Sequence, residues 1–164
     1  MQSAFVLAIL VAALGMAPAA QASETTPSTQ STFPPNFIPT EIRRWVRDDH
    51  VAWDHITSYP NMYAPPWRDE ARLGWLSTQP FANSHPLFSC KRNSHPYDHF
   101  TSNYEHCEGH ARIQAPYVLG YASSVQIAGT VPIYRCVAGK NEFDSTHPQC
   151  EGHRMVGAMG FIFP

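Results

Sequence analysis

The chain has few charges and no run of one sign. Charged residues make up 15 % of its 164 positions, Lys and Arg total 11, and the formal net charge is −2. The basic residues are scattered rather than gathered in a stripe, so nucleic acid is not an expected partner. No Gly-x-Ser-x-Gly elbow, phosphate-cradling glycine loop or His-Glu-x-x-His zinc motif occurs. The common hydrolase, nucleotide-binding and metalloprotease signatures are therefore missing. There is no Asn-x-Ser/Thr sequon, so N-glycosylation is not indicated. Beyond residue 22 no apolar run approaches the roughly 20 residues of a membrane span, and no membrane partner is expected.

What is present begins with an apparent export signal. Ala4 to Met16 is apolar and uncharged, and Ala20-Gln21-Ala22 gives the small-x-small pattern a signal peptidase reads. Residues 1–22 are expected to be a cleaved signal peptide, although only the amino terminus supplies the positive charge that normally precedes one. Residues 23–40 are rich in Ser, Thr, Gln and Pro and read as a disordered or extended lead. Cleavage leaves 142 residues, enough for one domain with a real core. Fifteen prolines and 12 % aromatics suit a loop-rich β domain. Proline interrupts helices, and aromatic rings fit pleated surfaces.

From Glu41 onward the chain repeats itself. Pro86-Leu87-Phe88-Ser89-Cys90, Asp98-His99-Phe100-Thr101-Ser102, Cys107-Glu108-Gly109-His110 and Leu119-Gly120-Tyr121 return as Pro132-Ile133-Tyr134-Arg135-Cys136, Asn141-Glu142-Phe143-Asp144-Ser145, Cys150-Glu151-Gly152-His153 and Met159-Gly160-Phe161. A fainter copy comes first, as Arg44-Trp45, Asp54-His55-Ile56-Thr57-Ser58 and Leu73-Gly74-Trp75. The copies span 41–83, 84–131 and 132–164. Repeats of about 44 residues built of short strands must bury their apolar faces on one another. The expectation is an all-β domain, a β-trefoil with a three-faced β-prism as the alternative, since both protect sheet edges. Glu41 to His55 also fits an amphipathic helix starting at Thr40, but the repeat argues for strands there. Gly74, Gly120 and Gly160 recur between large apolar residues, as a bulge or a close backbone approach requires.

Four cysteines in an exported chain favour disulfides. Cys90 and Cys136 share one repeat position, and Cys107 and Cys150 share another. Equivalent positions should be bonded equivalently, which selects Cys90–Cys107 and Cys136–Cys150. Each closes a loop of about 15 residues, worth roughly 3 kcal/mol in the chain-entropy model. The first copy has no cysteine but holds all four tryptophans, Trp45, Trp53, Trp67 and Trp75. Trp45 falls at the position of Cys90 and Cys136, and Met62 or Tyr63 near that of Cys107 and Cys150. Large apolar packing is expected to replace the crosslink there.

The pattern Pro-Leu-Tyr-Arg, Asp-His-Phe-x-Thr, Cys-Glu-Gly and Gly-Tyr resembles that of an uncharacterised secreted repeat family, over about Glu41 to Pro164. The likeness is specific in the second and third copies and weak in the first. In the third copy Asn141-Glu142 replaces the Asp-His pair. The resemblance implies an exported module of repeated units, found alone or appended to exported hydrolases, with carbohydrate or cell surface as the ligand. It implies no catalytic residue.

Trp53-Asp54 and Tyr97-Asp98 each set an aromatic beside a carboxylate. Proteins often hold sugars this way, with the ring stacking on C–H groups and the carboxylate accepting hydroxyls. Trp53, Asp54, Tyr97 and Asp98 are the candidate ligand-binding residues, weighed against simple Asp-initiated turns. The expected role is secreted, non-catalytic recognition of a glycan or cell-wall polymer by a monomer. One alternative is a small hydrolase using Glu105, His106, Glu108 and His110, and another is a protein-docking module. His95, His99, His106 and His110 cluster in sequence, but only His110 recurs at its position as a histidine in the third copy. No metal or cofactor is expected.

Overall fold

Ten β-strands and two single-turn 3-10 segments make up the computed structural model, which describes residues 33–49, 53–94, 97–113 and 117–164. The first copy forms β1 (Pro39–Asp48), β2 (Trp53–Ser58) and β3 (Trp67–Ser77). The second forms β4 (Ser84–Lys91), β5 (His99–Ser102), the two-residue β6 (Ala111–Arg112) and β7 (Val118–Ser123). The third forms β8 (Val131–Ala138), β9 (Asn141–Ser145) and β10 (Arg154–Ile162). The fold is all-β, and no α-helix occurs among the described residues. Where an amphipathic helix competed, over Glu41 to His55, the described residues other than Asp49 lie in β1 and the start of β2.

Hydrogen bonding joins all ten strands into one antiparallel sheet. Within each segment the first strand is central. β1 pairs with β2 and β3, β4 with β5, β6 and β7, and β8 with β9 and β10. The three recurring glycines hold matching registers: Gly74 faces Ile42, Gly120 faces Leu87 and Gly160 faces Ile133, each beside a register shift. Another segment presses on each of them. A Cβ on Gly74 would lie 2.2 Å from the Phe163 carbonyl oxygen, one on Gly120 2.9 Å from that of Ser77, and one on Gly160 3.0 Å from that of Ser123. The glycines therefore mark both a bulge and a close approach.

The strand ends that cover these glycines also bridge the segments. Ser77 pairs with Tyr121, Ser123 with Phe161, and Phe163 with Trp75. The last contact is closed by hydrogen bonds from the Trp75 N–H to the Phe163 carbonyl (2.6 Å) and from the Phe163 N–H to the Trp75 carbonyl (3.3 Å).

The main core draws on all three segments. Ile42, Leu87 and Ile133 come from the first strands; Leu73, Leu119 and Met159 precede the glycines; Leu76, Ala122 and Ile162 follow them. All are at most 5 % exposed. Each large aliphatic side chain buried here contributes about 2 kcal/mol. A second cluster sets Phe37, Phe81 and Phe163 against Phe33, Trp75, Tyr121 and Ile127. Phe33 stacks on Phe37 at 4.6 Å between ring centroids, and both rings meet Phe163 at 5.0 Å. The end of the Ser/Thr/Pro-rich lead is thus part of the fold, because two phenylalanines give it apolar surface to bury. Residues 1–32, with the expected signal peptide and most of the lead, lie outside the described residues.

The two disulfides are Cys90–Cys107 and Cys136–Cys150, each with Cα atoms 5.6 Å apart. Such bonds are consistent with an extracellular protein. Each packs on a β-hairpin phenylalanine, Phe100 or Phe143. In the first segment Trp45 takes the cysteine's place in register, opposite Ile56 as Cys90 is opposite Phe100. Its indole meets the Tyr63 ring edge-on at 5.9 Å and donates to the Tyr59 carbonyl at 3.2 Å. An aromatic contact holds here what a covalent bond holds elsewhere. No helix among the described residues is long and apolar enough to cross a membrane.

Candidate functional site

Each of the hairpin strands β2, β5 and β9 lies against the other two. Their sequences, Asp-His-Ile-Thr-Ser in β2, His-Phe-Thr-Ser in β5 (just after Asp98) and Asn-Glu-Phe-Asp-Ser in β9, carry most of the recurring polar residues into this contact. Buried polar groups must find partners, and most here find them across segments. Thr57 donates to Asp144 Oδ2 at 2.7 Å, and Thr101 donates to the same oxygen. Burial pushes the Asp144 carboxyl above its ordinary value, although both threonines oppose the shift.

Asp54 is fully buried. Its Oδ1 accepts from the His99 backbone N–H (3.1 Å) and from Asn141 Nδ2 (3.0 Å), and its Oδ2 accepts from His99 Nδ1. His55 Nδ1 in turn donates to Asn141 Oδ1. The remaining junction would set two carboxylates together. There Arg92 intervenes, with Nε 2.9 Å from Asp98 and Nη2 on Glu142.

A second ring of contacts uses the recurring Cys-Glu-Gly turn. Glu108 and Glu151 both sit at φ +55° inside 3-10 turns (Cys107–Gly109 and Cys150–Gly152). Arg135 grips both oxygens of Glu108, at 2.6 and 3.2 Å, and Ser102 adds a bond of 2.9 Å. Arg44 grips Glu151 the same way, at 2.8 and 3.0 Å, and Ser145 adds one of 2.6 Å. Arg135 also donates to the Thr101 carbonyl, and Arg44 to that of Asp144. The Glu of this motif is therefore tied to an arginine from a neighbouring segment.

Arg44 also bonds Glu70 at 2.6 Å, and His55 Nε2 lies 3.2 Å from the same carboxylate. Burial alone would raise the Glu70 carboxyl; the His55 hydrogen bond and Arg44 outweigh it and lower the pKa from 4.5 to about 2. A lowered folded-state value contributes stability that is complete above the unfolded value and lost as pH falls. Wild-type stability is expected to drop between pH 4.5 and 2. In urea titrations across that range Glu70→Gln should be less stable at neutral pH and show a flatter acid limb. An unchanged limb would remove Glu70 from the acid transition.

The four sequence-predicted ligand residues divide between surface and interior. Trp53 is 49 % exposed. Tyr97 is half-buried, with the Arg47 guanidinium 4.9 Å from its ring centre. Asp54 and Asp98 are buried, and each is engaged by protein groups. Sugar hydroxyls would reach Asp54 only by breaking those bonds, so the rings and the carboxylates do not form one open site. In the second copy Glu105 and His106 line one hollow with Arg112, while each member of the Glu/His group has its own partner. Glu105 pairs with Arg112, His106 stacks on Tyr104, Glu108 is held by Arg135, and His110 packs edge-on to Phe100. No group of three or more His, Cys, Asp or Glu side chains suited to a metal occurs among the described residues. His95 lies outside them.

Sequence reasoning passed over a groove between the second and third segments. One part, of about 210 Å³, is lined by Asn103, Tyr104 and Glu108 of the second segment and by Arg135 and Val156 to Met159 of the third. The adjoining part, of about 350 Å³, shares Asn103, Ala158 and Met159 and adds His85, Ser124, Gly160 and Phe161. The available signal was the small pair Gly157-Ala158. Counting back from Gly160 and from Gly74, these stand where β3 has Ala71 and Arg72, just after Val156 in place of Glu70. No protein-family model matches the chain, and no curated protein or solved structure is significantly similar to it.

Proposed function

We propose that the chain is an exported, non-catalytic recognition module for a glycan or cell-wall polymer, built from three copies of one motif about a common axis. Matching registers at Gly74, Gly120 and Gly160 support the repeat. The closed form proposed for them is a β-trefoil, with the three-faced prism as the alternative. One observation carries the functional reading. The interior polar residues are engaged with one another across segments, whereas flat rings stay accessible, Trp53 at 49 % and Tyr104 at 58 % exposure. Exposed rings beside fixed polar groups suit a ligand with both C–H faces and hydroxyls. The mature chain should bind saccharides on a glycan array or sediment with insoluble cell-wall polymers. A folded, disulfide-intact sample that binds none of them refutes this reading.

A further inference from the structure

We propose that the groove between the second and third segments is a saccharide-binding site, with Tyr104 as its stacking platform and the β10 backbone at Gly157-Ala158 as its floor. This rests on the glycan-binding reading and assigns it a place that the sequence did not indicate.

The floor is open because of residue size. A Cβ built on Gly157 meets nothing within 4 Å, so the backbone itself faces the groove. On β3 the corresponding stretch is Glu70-Ala71-Arg72, and Glu70 reaches across to Arg44. The same stretch of β10, Val156-Gly157-Ala158, has no charged side chain to do so.

The wall supplies what a sugar ring needs. Tyr104 lies nearly parallel to the His106 imidazole (5.5 Å between centroids, 10° between planes) and remains 58 % exposed. One face is backed by a ring, and the opposite face is left for the C–H side of a pyranose. Glu108 is fixed by Arg135 and Ser102, so its carboxylate is an oriented acceptor. Burial alone would raise its carboxyl, but the Arg135 and Ser102 hydrogen bonds hold it below its ordinary value, and it stays ionised near neutral pH. The Asn103 amide offers both a donor and an acceptor to either part of the groove. Two adjoining hollows suit a chain of sugar units better than a single ring.

An extended peptide fits less well. It would have to pair along the free edge of β10, but His85 Nε2 already donates to the Met159 carbonyl at 2.8 Å and interrupts that edge.

The test uses the mature, oxidised chain with chito-oligosaccharides, cello-oligosaccharides, soluble peptidoglycan fragments and a random peptide library as probes. Three variants are compared: Gly157→Trp to fill the groove, Tyr104→Ala to remove the platform, and Trp53→Ala at a separate exposed ring. Thermal unfolding checks that each is folded, and Tyr104→Ala keeps the test alive if Gly157→Trp is not. The expected result is wild-type binding to one saccharide class, weakened about tenfold or more by Gly157→Trp and by Tyr104→Ala and weakened less by Trp53→Ala. Saccharide binding lost only in Trp53→Ala, or unchanged in all three, overturns the groove and leaves the glycan-binding reading standing. No saccharide binding by the folded wild type overturns both. Peptide binding that depends on Gly157, without saccharide binding, overturns the ligand class.

Discussion

Gly74→Ala is expected to destabilise the domain by about 4 kcal/mol or more, a large part of the ~5–15 kcal/mol that holds a domain of this size folded. Two independent costs act at the site. The backbone sits at φ +144°, where an L side chain is strained. The new methyl would also lie 2.2 Å from the Phe163 carbonyl oxygen and 3.2 Å from Ile162 Cδ1. That oxygen cannot retreat freely, because it accepts the Trp75 N–H at 2.6 Å in the bridge between first and last segments. Gly120→Ala and Gly160→Ala should follow with smaller losses, since their nearest contacts lie at 2.8 Å rather than 2.2 Å. Gly157→Ala, with open space around it, should stay within about 0.5 kcal/mol of wild type. Urea midpoints of the four variants give the ranking. A Gly74→Ala protein with the wild-type midpoint would falsify the packing of the Phe163 strand end on β3.

Arg44→Ala is expected to cost about 2–3 kcal/mol, below the range for a fully buried ion pair because the carboxylates it leaves are partly exposed. The side chain is 7 % exposed and holds Glu70, both oxygens of Glu151 and the Asp144 carbonyl. Its guanidinium also lies 5.0 Å from the centre of the Phe143 ring. Alanine leaves two carboxylates facing each other and a carbonyl without that donor. Lysine restores the charge but not the two-pronged grip, so Arg44→Lys should recover only part of the loss. Adding Glu70→Gln and Glu151→Gln to Arg44→Met should recover more, because the stranded charges go too. The Arg68–Asp48 pair is the control, 3.8 Å apart with both side chains more than 60 % exposed. Arg68→Ala should change stability by less than about 1 kcal/mol. Equal losses at Arg44 and Arg68 would mean that the interior cluster contributes no more than a surface pair.

Local recurrence made part of this architecture readable in advance. Because Cys90 and Cys136 share a repeat position, as do Cys107 and Cys150, copying one pairing into the next copy gave both bonds. Glycine flanked by large apolar residues implied a bulge or close approach, and both occur at Gly74, Gly120 and Gly160. The orientation of Asp54 was not readable. Its partners His99 and Asn141 lie 45 and 87 positions away, and local sequence does not reveal that three hairpins meet. An aspartate next to a tryptophan looks the same whether it faces solvent or two other hairpins. The Arg44–Glu151 pair spans 107 positions and was hidden for the same reason. The β10 groove was missed because it depends on missing side chains, and attention to charged and aromatic motifs passes over Gly157 and Ala158.

The aromatic contact of Phe33 and Phe37 with Phe163 gives the chain an unusual engineering freedom. Positions 33 and 163 are already neighbours, so a short linker from Pro164 back to Phe33 would make a circle without moving a strand. Reopening that circle at the turn between Ser123 and Val131 would put the third segment first and keep every pairing and both disulfides. A circular permutant of this kind would move the new termini, and any fused cargo, to the far side of a segment boundary.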